Sequence, residues 1–170
     1  MKRIFLCCLI IFSNSTIGQI ILSNDTTVCG TQNIDLYAIS ASVDSLVTDD
    51  TYTQNIDLGF DFGFYGISYN KMLISSNGYV TFDTTLSGGY SPWAINMAIP
   101  NPGVEPENAI MVTWQDTDPG VAGAIYFGSY GAAPNRVFVV TWCGLAMFSC
   151  NNLIYTSQLR LFEGSNKIEM

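Results

Sequence analysis

Histidine is absent from the 170 residues, charged side chains make up only 12% of them, and six basic residues face 14 acidic ones. Each shortage removes a class of function. Without imidazole there is no Ser-His-Asp or Cys-His catalysis, no His-ligated zinc and no histidine pH switch. A formal charge of −8 is repelled by phosphate, which excludes nucleic-acid binding and docking on anionic membranes through a basic surface. Helical periodicity is missing as well, along with internal repeats, low-complexity tracts and a clear linker. An ordinary soluble domain is about 25% charged, yet the low charge here does not signal disorder, because 48% of the residues are hydrophobic and 13% aromatic. The composition predicts a packed, folded chain.

The beginning of the chain reads as an address. Met1-Lys2-Arg3 is positive, Ile4 to Phe12 is continuously apolar, and Ser13 to Gly18 is a small, polar exit, the pattern of a secretory signal peptide over residues 1–18. The apolar run falls well short of the roughly 20 residues that a helix needs to cross a bilayer. The mature chain, residues 19–170, is therefore expected to lack a transmembrane segment and to be secreted or displayed at the cell surface. It keeps four bases (Lys71, Arg136, Arg160, Lys167) against all 14 acids, a formal charge of −10. No base lies between Ile4 and Asn70, while Asp25, Asp35, Asp44, Asp49, Asp50, Asp57 and Asp61 accumulate there. Such a run either solubilises an exported β-protein or binds a divalent cation.

Cys29, Cys143 and Cys150 remain after cleavage, and in an exported protein they favour disulfides over metal or redox roles. Cys143 and Cys150 flank a short segment, and a bridge between them is predicted to contribute about 2–3 kcal/mol. Cys29 is then left over, open to a partner cysteine beyond residue 170 if the natural chain is longer.

The body alternates with a period of two. Ile56, Leu58, Phe60, Phe62 and Phe64 are interleaved with Asp57, Gly59, Asp61, Gly63 and Tyr65, the pattern of a half-buried strand in which the glycines mark a bend or bulge. Ser75-Ser76-Asn77-Gly78 separates two further runs as a hairpin turn. Ala109 to Trp114 places Ile110, Val112 and Trp114 on one face, and Ala124 to Phe127 is a shorter run. Arg136 to Trp142, apolar on both faces, predicts a central strand, and Tyr155 to Phe162 alternates again before a turn and a last arm at Lys167 to Met170. The prolines fall in loops, of which Thr84 to Asn108 is the longest. These features predict an all-β fold: a single antiparallel β-sandwich domain, jelly-roll or immunoglobulin-like. The last arm stops without a turn, so the chain is expected to be truncated at its C-terminus.

Asp116 and Asp118, in Trp114-Gln115-Asp116-Thr117-Asp118-Pro119-Gly120, offer oxygens at i and i+2 in a loop, a pattern that suits calcium and equally suits ordinary turn chemistry. Calcium is the cofactor candidate. Glu105 and Glu107 lie in a Pro-rich loop rather than an apolar pocket, unlike a glycosidase pair with one raised pKa, and no catalytic residues are assigned. Tyr65 and Trp93 stand out among the turn aromatics as candidate ligand-binding residues, and Asn24-Asp25-Thr26 is a glycosylation sequon.

Taken together, Phe62-Gly63-Phe64-Tyr65-Gly66, Ile74 to Phe82, Asn108-Ala109-Ile110, Trp114 to Asp118, Gly123-Ala124-Ile125-Tyr126, Arg136 to Trp142 and Gln158 to Gly164 form a series that resembles a domain of secreted surface proteins of gliding, Bacteroidetes-type bacteria. It is also similar to the nidogen-type domain of adhesion proteins. The resemblance spans about Leu58 to Met170. It implies an exported β-domain within a larger protein, associated with type IX secretion or gliding motility, and supplies no catalytic set. Val28-Cys29-Gly30 with Ile34-Asp35-Leu36 resembles the first strand region of an immunoglobulin-like bacterial repeat. The functional expectation is a non-enzymatic extracellular or cell-surface module for adhesion or scaffolding, with an extracellular protein or glycan as partner. The alternative is a carbohydrate-binding ancillary domain of a secreted hydrolase.

Overall fold

A computed structural model describes residues 18–21, 39–42, 44–94, 96–104 and 106–170. The signal segment, Cys29, the sequon, the immunoglobulin-like strand region and Glu105 lie outside the described residues, apart from Gly18. In chain order the strands are β1 (Gly18–Ile21), β2 (Ile39–Ser42), β3 (Asp44–Leu46), β4 (Ile56–Phe64), β5 (Ile67–Ile74) and β6 (Tyr79–Thr81). They continue as β7 (Ala109–Met111), β8 (Thr117–Asp118), β9 (Ala124–Tyr130), β10 (Val137–Met147), β11 (Cys150–Phe162) and β12 (Ile168–Glu169). A 3₁₀ turn, Thr84–Leu86, begins the long loop under an Asp83 cap.

Alternation decides which side of each strand is buried. β1 and β2 pair by themselves; of the two antiparallel sheets that pack together, one runs β4-β5-β6-β7 and the other β12-β11-β10-β9-β3, with β8 paired to the end of β10. Leu58, Phe60 and Phe62 of β4, Met72 and Ile74 of β5, and Val80 of β6 meet Ile125 and Phe127 of β9, Phe138, Val140 and Trp142 of β10, and Leu159 and Leu161 of β11. Burying each such side chain contributes about 1.5–3 kcal/mol. The all-β sandwich is therefore as expected. So is the bulge in β4: its pairing with β5 shifts register between Asp57 and Phe62, where Gly59 takes φ 80°. β10, flanked by β9 and β11, is the central strand.

Two expectations fail on local geometry. Trp114 does not share a face with Ile110, because its φ of 29° breaks the alternation. It packs instead with Tyr52, Leu73 and Tyr79 in a second cluster on the outer side of the four-stranded sheet, beneath the long loop. The bridge between Cys143 and Cys150 is also not made. The β10–β11 hairpin turns between Met147 and Cys150, which face each other, whereas Cys143 lies further back along β10 opposite Ala124 of β9. At about 3.3 Å per residue that offset puts the two cysteines roughly 13 Å apart, well beyond the Cα separation a disulfide spans.

At the far end of β10 an ion pair closes the sandwich. Arg136 Nε donates to Glu163 Oε2 at 2.8 Å, the backbone N–H groups of both residues are tied across the same gap, and the guanidinium lies 5.6 Å from the Phe60 ring centroid. The Arg136 hydrogen bonds hold the Glu163 carboxyl down to about 2, from an ordinary 4.5. A depressed carboxylate stabilises the fold above its unfolded pKa and loses that contribution as pH falls through its folded one. Glu163→Gln is expected to lower the urea midpoint at neutral pH, and the gap to the parent should narrow as pH falls from about 4.5 towards 2. A gap independent of pH would show that the charge is not what counts.

Candidate functional site

The turn between β5 and β6 is not at the surface. Ser75, Ser76 and Asn77 are all fully buried, and a buried polar turn survives only when its groups are paired. Ser75 N–H donates to Tyr79 O at 2.9 Å, and Ser75 Oγ accepts from Asn77 N–H and hydrogen-bonds Ser91 Oγ. Gly78 takes φ +78°, and a Cβ there would lie 2.0 Å from Thr113 Oγ1. Only glycine closes this turn.

Three separate segments are gathered around it. Tyr52 bridges Ser75, and Ser76 N–H donates to Thr51 O at 3.0 Å, which fixes residues 49–53. Thr117 N–H donates to Asn77 Oδ1 at 3.1 Å, and Thr117 Oγ1 donates to Ser76 O at 2.8 Å, which fixes the Trp114 to Asp118 segment. Asn77 Nδ2 donates to Ser91 O at 3.2 Å and to Asp50 Oδ1 at 2.9 Å, which ties the long loop to the first segment. Tyr79 OH and Trp114 Nε1 each donate to Pro92 O at 3.1 Å, so the loop is seated on the outer aromatic cluster.

The result brings Asp49, Asp50 and Asp116 together, with one carboxylate oxygen of each within 4.8 Å of the others. Burial raises Asp116, and the charges of Asp50, Asp49 and Asp118 push it further. Asp49 is raised by burial and then by Asp50 and Asp118, against the hydrogen bond it accepts from Asp50 N–H. Beside the cluster, Tyr90, Pro92, Trp93, Ala94, Asn96 and Val104 line a groove of about 280 Å³. Tyr90 is 63% exposed and Trp93 42%. Tyr90 forms an isolated β-bridge with Thr51, and Ser91 N–H donates to Asp50 O at 2.9 Å, so carboxylates and groove meet at this residue, where slight burial and the charges of Asp50 and Asp116 raise the Tyr90 hydroxyl.

The structure brings some of the expected residues together and separates others. Asp116 joins the cluster, but its partners are Asp49 and Asp50. Asp118 instead accepts Gly120 N–H at 2.8 Å, the turn chemistry that its Pro-Gly neighbours permit. Trp93 lines the groove. Tyr65, 93% exposed, caps the β4–β5 hairpin with its ring 4.7 Å from that of Phe64, and the whole of β5, roughly 25 Å at strand rise, lies between it and Ser75. Glu107 accepts Gly103 N–H at 2.6 Å within its own loop. Tyr90 belongs to the turn aromatics that the sequence offers as stacking surfaces, and Asp49 and Asp50 to its acidic run without bases; Asn77 is the residue of the site with no such signal.

A profile described as NIDO related matches residues 30–170. The chain belongs to the NIDO-related family. The match supports the nidogen-like part of the resemblance, and NIDO-related membership suggests an extracellular module. The searches of curated proteins and of solved structures returned no match. Among the described residues of this NIDO-related chain, no helix is long and apolar enough to cross a membrane.

Proposed function

We propose that the chain is a non-catalytic extracellular or cell-surface module that serves adhesion or scaffolding within a larger secreted protein. The motif series further supports a place among surface proteins of gliding, Bacteroidetes-type bacteria. The observation that carries the reading is the exposed Tyr90–Trp93 groove beside three converging carboxylates, mounted on a buried, fully paired turn. Binding residues characteristically sit on loops held by a rigid scaffold. Protein immobilised against extracellular-matrix, polysaccharide and cell-envelope fractions should retain a partner that Trp93→Ala releases. Retention by no fraction, or retention indifferent to Trp93, overturns this reading. The stacking surface of Tyr90 and Trp93 also favours the glycan-binding alternative, which predicts saturable binding on a glycan array.

A further inference from the structure

We infer that the groove and the carboxylates form one recognition surface, and that its occupant is a lysine or arginine side chain presented by an extended segment of a partner protein. The inference rests on the reading of the chain as an extracellular interaction module and names the chemistry of its partner.

Charge distribution is the first argument. Arg136 pairs with Glu163, while Arg160 and Lys167 pair with Glu169, all at the end of the sandwich where β10 begins. Lys71 faces Asp57 in the β4–β5 ladder. Asp116, whose backbone oxygen accepts Phe148 N–H just past the other end of β10, lies roughly 33 Å away at strand rise. Among the described residues, no base lies within ion-pair distance of Asp49, Asp50 or Asp116. Three carboxylates thus converge without a cation, at the opposite end from the paired bases.

The groove supplies the second argument. Apart from Asn96 its walls are aromatic and aliphatic, and they adjoin the charges where Tyr90 bridges Thr51 and Ser91 N–H meets Asp50 O. A Lys or Arg side chain has matching halves, an apolar stem and a cationic head, and its head over Tyr or Trp adds about 0.5–2 kcal/mol. A neutral sugar could stack on Trp93 but would leave the carboxylates uncompensated. Calcium takes six to eight oxygens, and the cluster brings three carboxylates, of which Asp50 Oδ1 already accepts from Asn77 and Asp49 Oδ1 from Asp50 N–H. The site fits a cation that brings an apolar body with it.

The test is fluorescence polarisation with a labelled peptide of alternating Lys and Gly, compared with the same peptide acetylated on every lysine, which keeps the stems and removes the charge. The unmodified peptide should bind in low salt and weaken as salt rises, and the acetylated one should bind at least about tenfold more weakly. Trp93→Ala and Asp116→Asn should each weaken binding about tenfold. Neither side chain supports the fold: Trp93 is exposed, and the fold uses only the backbone of Asp116. Equal binding of the two peptides, or indifference to both variants, overturns the inference. So does calcium alone raising the melting temperature in an Asp116-dependent manner, because the cluster is then a metal site. A Trp93-dependent signal from a neutral glycan without lysine-peptide binding also overturns it, while leaving the interaction-module reading intact.

Discussion

Replacing Trp142 by alanine is expected to lower the unfolding free energy by about 3–5 kcal/mol, a large share of the 5–15 kcal/mol typical of a whole domain. The indole is fully buried between the sheets, and its Nε1–H donates to Ser75 O at 3.0 Å. The substitution therefore opens a cavity in the main core and strands a carbonyl of the buried turn. Trp142→Phe separates the two effects. It restores most of the volume and should cost about 1–3 kcal/mol, the penalty of the unpaired carbonyl. Urea unfolding of both variants checks the ordering, and equal losses would mean that packing around Trp142 contributes little beyond the hydrogen bond.

Asn77→Ala should cost about 1–3 kcal/mol for each buried group it strands, here Thr117 N–H and Ser91 O. Its consequences reach the surface, because the same side chain orients the Asp50 carboxylate. Amide exchange at Thr117 should quicken well beyond the global loss of stability, and the groove should loosen where Ser91 joins Pro92. Asn77→Asp makes a sharper comparison: it keeps an acceptor for Thr117 but sets a carboxylate against Asp50, and like charges at this distance repel. It should be less stable than Asn77→Ala at neutral pH and recover on acidification. An Asp variant as stable as the parent would show that Asp50 and Asn77 are not coupled.

How much of this was legible depended on whether the information was local. The strand β4 declared itself because its alternate Ile, Leu and Phe residues need no partner to be read, and β10 did so because apolar residues on both faces mean burial on both faces. β3 and β8 are too short to show a period and exist only through pairing with β9 and β10. The cysteines misled because loop length says nothing about register. At Asp116 the residue type was informative but the company was not, since Asp49 and Asp50 reach it only after the chain has built β4, β5, β6 and β7. Asn77 was readable as a turn residue, and nothing next to it in sequence announces that the turn is internal.

That internal turn also governs where the chain can be altered. Hairpin loops ordinarily accept inserted epitopes or new termini, but Ser75 to Gly78 is enclosed by residues 49–53, the 113–117 stretch and Ser91, so added residues there would force all three apart. The permissive position is the other end of β5, where Tyr65 and Gly66 project into solvent and a Cβ at Gly66 meets nothing within 4 Å. A label or graft at Tyr65-Gly66 lies a full strand length from the groove, so it can report on partner engagement without standing in its way.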